Sequence, residues 1–446
     1  MNNKKSPQAI ILIHGIGEQR PMETALNFAR SIADDDEIRM KPTSLGIEGE
    51  TQRISIKESR YQPRTDIYEY YWAHKFRNNR LSTIKRWIID VFFQCIFSGS
   101  APGFLRKRVE FIFISLAFFL TPILYCLLAY FFFKNFGSYG LIVYLGASFA
   151  LYKIAISDIL YGYIADAAKY LSNHPDNISA REEVRMGGLK LLTDIIKSGK
   201  YQRVIIVGHS LGSVIGYDIL SMAWARFVDE IQASEKDRSF ITGGFHELQE
   251  LAKTNSKPNA IQEFQKKQRL LRTRLAENDI KWIVSDLVTL GSPLSFANFL
   301  ITRNRADFIE KSEKFRLLLK CPPHGQLSES AFSSRPSGGK FTSYFPTYNA
   351  LFLLTSWTNL FFRRDPIGGP VRILFGRGIV DIPVDHGVYG LAHVKYFSPR
   401  SEAARKLKNV LKLDTGRTKD NAEDQRWPKA SSEKSSASIA PSTPVD

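Results

Sequence analysis

Five consecutive residues carry the sharpest chemical signal in the sequence: Gly208-His209-Ser210-Leu211-Gly212. A serine hydroxyl works as a nucleophile when a tight turn exposes it, a base can reach it, and the surroundings favour the negative charge that develops. The apolar run Arg203-Val204-Ile205-Ile206-Val207 precedes the pentapeptide, and SVIGYDILSMAWARF follows it, so Ser210 falls between a strand and a helix. Free amides at a helix N-terminus favour an anion there, and Gly208 and Gly212 leave room for the close backbone approach of such an elbow. A second signal is the apolar run Ile10 to Ile13 followed by His14-Gly15-Ile16-Gly17. Acyl transfer needs backbone N–H donors aimed at an oxyanion, one from the residue after the nucleophile and one from a loop after another strand. Leu211 N–H is the expected first donor and Ile16 N–H the second, with Gly17 as the alternative to Ile16. His14 reads as a loop-shaping residue rather than a base. A phosphate loop is the competing chemistry for these glycines, but neither turn is followed by the Lys-Ser/Thr that nucleotide binding uses. No H-E-x-x-H or comparable spacing occurs, so no metal and no cofactor are expected.

Holding two such turns side by side takes a parallel sheet. The short apolar runs AIILIHGIG, DIYEYYWA, RVIIVGHSLG and DLVTLGSPL alternate with helix-length segments such as AREEVRMGGLKLLTDIIKSG. Runs of that length bounded by Gly or Pro read as strands buried on both faces, joined by crossover helices.

On these residues the chain resembles an α/β-hydrolase of the serine esterase/lipase type. The resemblance rests on AIILIHGIG, DIYEYYWA, VIIVGHSLGSVIGYDIL, LVTLGSPLSF, WTNLFFRRDPIGGPV and LAHVKYF, about half of the chain. It implies an α/β fold with a mostly parallel sheet and flanking helices. Because the first matching strand lies close to the N-terminus, the two opening strands of the full fold are expected to be missing and the sheet to be a reduced one. In that family the triad partners follow in the order Ser, acid, His. The resemblance therefore implies Asp365 as the acid, after WTNLFFRR and before Pro366-Ile367-Gly368; a surface contact with Arg363 or Arg364 is its non-catalytic reading. Asp381 and Asp385 are the alternatives. The same order restricts the base to His386 and His393. His393, in Leu391-Ala392-His393-Val394-Lys395-Tyr396-Phe397, resembles the H-x-x-Y-aromatic segment of many such esterases and is preferred; His386, beside Asp385, stays as the alternative base.

The rest of the chain departs from a soluble enzyme. Val109 to Phe133 runs about 25 residues with one charge, Glu110, at its edge, and Tyr139 to Ser157 is a second apolar stretch with only Lys153; a span needs about 20 residues. Two spans, about 109–133 and 139–157, form an expected transmembrane helical hairpin inserted into the hydrolase domain. Lys75, Arg77, Arg80, Lys85, Arg86, Arg106, Lys107 and Arg108 precede it against a single acid, Asp90, which by the positive-inside rule places the catalytic domain in the cytoplasm. Leu81 to Phe97 reads equally as an interfacial helix and as a core helix. The expected organisation is an N-terminal part of the hydrolase domain (1–74), a basic segment with the hairpin (75–157), the remainder of the domain (158–412) and a disordered tail rich in Ser, Pro and charge (413–446). Within 158–412, a charged surface insertion spans about 228–280. About 302–344 reads equally as a lid, whose Arg303, Arg305, Lys311, Lys314, Arg316 and Lys320 would meet anionic headgroups, and as a solvated surface helix.

Composition fits that reading. With 44% hydrophobic and 24% charged residues the chain must bury a core, and its net charge of +17 favours an anionic partner. The cations gather beside the apolar spans and no groove-reading motif occurs, so the expected partner is an anionic membrane leaflet rather than nucleic acid. The three cysteines form no C-x-x-C pair, and Ala9 to Ile13 is too short for a signal-peptide core. The expected activity is hydrolysis of carboxylic esters, of lipids or of another ester substrate, through an acyl-enzyme. Acyl transfer by the same residues, and a non-catalytic membrane scaffold with this fold, are the alternatives.

Overall fold

The computed structural model describes residues 6–15, 20–47, 50–59, 62–76, 109–152, 170–171, 177–230, 247–248, 260–277, 282–302, 304–323, 332–337, 341–365, 367–385, 391–411 and 413. Its centre is a sheet built from β1 (Gln8–Ile13), β2 (Ile38–Ile47), β3 (Glu50–Ile56), β4 (Thr65–Tyr70), β5 (Arg203–His209) and β6 (Val284–Leu290). A two-stranded sheet, β7 (Phe332–Ser337) with β8 (Phe341–Pro346), stands apart, and β9 (Ser356–Phe362) and β10 (Val380–Val384) complete the main one. The main sheet has eight strands in the order β10-β9-β6-β5-β1-β4-β3-β2. Every pair from β10 to β4 is parallel, while β3 runs antiparallel to both β4 and β2. It is a mostly parallel mixed sheet, and its eight strands correct the expectation of a reduced one. The edge beyond β4 is filled by β2 and β3, which follow β1 in the chain.

Alternation along β1 sends Ile11 and Ile13 to one face and Ile10 and Leu12 to the other, and each face has its own buried cluster. Helices α1 (Glu23–Ile32) and α6 (Glu402–Leu411) cover the second face through Ala25, Phe28, Ala29 and Ile32 on one and Ala403, Leu407 and Leu411 on the other. The first face is covered by α3 (Ile178–Lys197), α4 (Leu211–Glu230) and α5 (Ala260–Glu277). Helix α5 lies in the stretch expected to be a charged surface insertion, yet Phe264, Leu271 and Leu275 are buried and Gln268 donates to the Phe352 carbonyl at 2.6 Å. Its spacing of seven and then four residues makes one apolar face, so this part is a layer of the domain.

The chain runs from β1 out to the β2–β3 edge, returns to β4 beside β1, and then continues on the other side of β1 with β5. Strand order thus reverses at β1, and in open α/β sheets the crevice at the carboxyl ends of the strands around such a reversal is where ligands bind.

Helix α2 (Val109–Tyr152) is interrupted at Gly137, whose φ of 63° and ψ of −156° are not helical. The Tyr144 hydroxyl donates to the Tyr125 carbonyl at 3.2 Å, and the rings of Tyr144 and Phe132 are 5.2 Å apart. Within this stretch Leu120–Ala150 is long and apolar enough to cross a membrane by length and composition. Leu81 to Phe97, and the end of the second expected span, lie outside the described residues. In the expected lid, Lys311, Lys314 and Lys320 pair with Asp307, Glu310 and Glu313 at 2.9, 3.1 and 2.8 Å, so three of the cations expected to meet headgroups already have acidic partners.

Candidate active site

Strand β5 ends at His209 and α4 begins at Leu211, leaving Ser210 alone in the turn with a φ of 53°. Residues other than glycine rarely take this left-handed conformation, and they hold it only where the surroundings fix it. Here the Ser210 N–H donates to the Leu290 carbonyl at 2.9 Å, and the Ser210 carbonyl accepts from Ser213 N–H at 3.0 Å and from the Ser213 hydroxyl at 2.6 Å. The Ser213 hydroxyl also meets that of Ser292 at 2.6 Å. The glycines act as the sequence demanded. A Cβ on Gly212 would lie 2.2 Å from the Ile13 carbonyl oxygen, and one on Gly208 would lie 2.5 Å from the Ser213 Cα. Bare backbone at these points lets α4 start directly against the carboxyl end of β1. As first residue of α4, Leu211 presents an amide that has no intrahelical acceptor. Gly15 closes the other side, where an added Cβ would come within 2.9 Å of the Ser210 Cβ.

Asp365 follows β9, its N–H bonded to the Phe362 carbonyl in a tight turn at 3.1 Å, and its side chain is fully buried. The carboxylate accepts from Ile367 N–H at 2.8 Å, from the Tyr396 hydroxyl at 2.8 Å and from His393 Nδ1 at 2.9 and 3.0 Å. The Tyr396 oxygen in turn accepts from Phe362 N–H at 3.0 Å. Burial alone would raise the acid. The hydrogen bond and charge of His393, with the N–H groups of Ile367 and Gly368, outweigh it and hold Asp365 below the usual carboxylate value. His393 stands on the single turn Leu391–Val394, with Nε2 at 2.9 Å from Ser210 Oγ. An ionised carboxylate only accepts, so Nδ1 carries the imidazole proton and the Nε2 lone pair faces the serine hydroxyl. Ser210, His393 and Asp365, far apart in sequence, thus form one continuous hydrogen-bonded line at the carboxyl edge of the sheet.

No protein-family model and no curated protein matches this sequence. Among solved structures, the chain is similar to a protein of Agrobacterium vitis S4 that carries the provisional name hydrolase. The identity is 12% and the TM-score 0.20, with 52% of this chain and 68% of that one covered. An overlap of that size leaves the chemistry to be read from this chain's own residues.

The other sequence candidates sit elsewhere. Asp381 accepts from Asn359 Nδ2, Val371 N–H and Arg372 N–H at 2.7 to 3.1 Å, and Asp385 pairs with Arg363 at 3.0 Å on the surface. Ile16 and His386 lie outside the described residues. His14 is buried, its Nδ1 2.8 Å from the Gly15 carbonyl and its ring stacked on Trp72 at 5.3 Å. Burial holds its pKa down at about 4, as suits a neutral residue that shapes the loop. Two contributors escaped the sequence reading. Tyr396 buttresses Asp365; its position in the H-x-x-Y segment was visible, but its partner was not. His209 donates Nε2–H to the His393 carbonyl at 3.0 Å, and only the fold brings them together. Among the described residues no group of three or more His, Cys, Asp or Glu is placed to hold a metal.

Proposed function

We propose that this protein is a serine hydrolase of carboxylic esters, held at a membrane by the 109–157 segment and acting on lipid. The reading is carried by the line of hydrogen bonds from Ser210 Oγ through His393 to Asp365. In this reading Ser210 Oγ attacks the ester carbonyl carbon while His393 Nε2 takes its proton. The oxyanion of the tetrahedral intermediate accepts from Leu211 N–H and Ile16 N–H. Collapse breaks the ester C–O bond, and His393 returns the proton to the departing alkoxide, leaving an acyl-serine. A water then gives its proton to His393, attacks the acyl carbon and releases the acid, with the proton passing back to Ser210. Asp365 stays ionised throughout, fixing the tautomer and stabilising the imidazolium. Lipid as substrate is supported by the apolar Leu120–Ala150 helix and by the exit of the chain from β4 at the sheet edge that carries Ser210.

The deciding experiment is fluorophosphonate labelling of the full-length protein in detergent, followed by a panel of esters varied in acyl length and headgroup. One adduct on Ser210, absent from Ser210→Ala, is expected, together with a preference for long acyl chains. A label that persists in Ser210→Ala would remove the proposal.

A further inference from the structure

His209 is joined by a single peptide bond to the nucleophile, and its ring reaches the loop that carries the base. Its Nε2 lies 3.0 Å from the main-chain oxygen of His393, and its ring centroid is 5.1 Å from that of His393. Tyr396 at 5.4 Å and Phe397 at 5.5 Å close around it. A carbonyl oxygen only accepts, so Nε2 carries the proton and His209 is the donor.

The turn that needs this anchor is small. Leu391–Val394 is a single turn, closed by Lys395 N–H to the Ala392 carbonyl, with Val394 two-thirds exposed. Asp365 grips the His393 ring at Nδ1, which fixes one end of the imidazole and leaves it free to pivot about that end. A second fixed point on the main chain sets where Nε2 falls. We propose that His209 is the positioning residue that supplies it: the Nε2–H donated to the His393 carbonyl ties the backbone of the base to the residue beside Ser210 and so sets the 2.9 Å separation of Ser210 Oγ and His393 Nε2. The inference rests on the triad reading above and adds a specific part for a residue outside it. Placing the anchor next to the nucleophile means that any shift of the elbow carries the base with it.

The donor has to stay neutral while His393 is an imidazolium 5.1 Å away. Burial, and then the charge of His393, hold the pKa of His209 down at about 3, so it keeps one proton through the cycle. A lysine in its place would donate as well, but would set a permanent charge against the imidazolium.

Packing and hydrogen bonding separate cleanly here. His209→Phe keeps an aromatic ring against Tyr396 and Phe397 without the donor, and His209→Gln places an amide N–H near the position of Nε2. The measurement is the stoichiometry and second-order rate of fluorophosphonate acylation of Ser210 in the full-length protein, with kcat and KM for a short soluble ester. His209→Phe is expected to label to full stoichiometry but about 10- to 100-fold more slowly, with kcat lowered and KM unchanged, the scale of a misplaced catalytic group. His209→Gln is expected to recover to within about 5-fold of wild type, since it restores the donor. If His209→Phe does not fold, His209→Met against His209→Gln makes the same comparison. A wild-type rate in His209→Phe, or a loss that His209→Gln shares in full, overturns the positioning role alone. Absence of labelling at Ser210 in the wild-type protein overturns the triad reading and this inference with it.

Discussion

Asp365 is a fully buried carboxylate and Asp381 a half-buried one, and they are set apart by what they touch. Asp365 meets an imidazole; Asp381 meets an amide side chain and two main-chain N–H groups. Asp365→Asn should therefore fold normally and lose turnover by about four orders of magnitude, because an amide favours the wrong imidazole tautomer. Asp381→Asn should instead lower the melting temperature, with kcat little changed. Turnover and thermal melts on the two variants check both, and a near-normal rate in Asp365→Asn would return the acid role to Asp381 or Asp385. The buried histidines add a pH dependence. His14 and His209 titrate at about 4 and about 3 in the folded protein against about 6.5 when unfolded. Between those values the unfolded chain binds more protons, so the stability they contribute is complete above about pH 6.5 and is lost as pH falls towards 4. For His14 the loss amounts to roughly 3 kcal/mol. Melts in detergent at pH 7.5 and pH 5 should show the wild type losing stability on acidification, and His14→Asn, which keeps a donor near Nδ1, losing less.

At the scale of elements, the elbow works because three glycines let β1, β5 and α4 meet. An added Cβ at Gly212 would face main-chain atoms, which cannot move aside, whereas one at Gly15 would face the Ser210 Cβ. Gly212→Ala is expected to push α4 off β1 and fail as a fold, seen as loss of the cooperative melt. Gly15→Ala is expected to lower the melting temperature less than Gly212→Ala while slowing Ser210 acylation, since its one clash is with the nucleophile's own Cβ. If the two variants melt alike, the close approach at Gly212 is not what the elbow depends on. These positions were legible in the sequence because they are dictated locally: a strand buried on both faces is a continuous apolar run, and a tight turn between strand and helix needs glycine. Strands β2 and β3 were not legible. Ile38–Ile47 includes Pro42 and Gly46, and only part of this edge pair is buried, through residues such as Ile54 and Ile56, so no apolar run announces it. Helix α5 was hidden for the opposite reason, its many charges masking an apolar face made by three residues. The pairing of His393 with Asp365 depended on chain order in the family it resembles, and the contacts of Tyr396 and His209 depended on tertiary placement with no local signature.

At the scale of the whole molecule, the proposed chemistry shares a chain with one segment, Leu120–Ala150, long and apolar enough to cross a membrane. Strand β4 is parallel to β1 and ends at Tyr70, so the chain departs for residues 109–152 from the same sheet edge at which β5 presents Ser210. The Leu120–Ala150 stretch is largely exposed; Leu127, Tyr130, Ile142 and Phe149 are each about 60% accessible or more. Apolar side chains left open to water in such number cost stability at about 25 cal/mol per Å², which a bilayer relieves. Lys75 is already paired with Glu183 at 2.9 Å, but the cations from Arg77 to Arg108 would add roughly 1 kcal/mol each against an anionic leaflet. If that edge faces the membrane, a lipid can reach Ser210 without fully entering water. Deleting 109–157 and joining the ends with a flexible linker should release the protein from membranes and leave hydrolysis of a short soluble ester near the wild-type rate. Hydrolysis of lipid embedded in anionic vesicles should fall sharply. The two substrates measured on one deletion protein separate presentation from simple tethering: a tether that only raises local concentration is replaced by fusing an unrelated single-span anchor at the C-terminus, whereas presentation of the site is not. Full rescue by that anchor would mean that the apolar segment is an address and that the orientation of the Ser210 edge towards the bilayer plays no part.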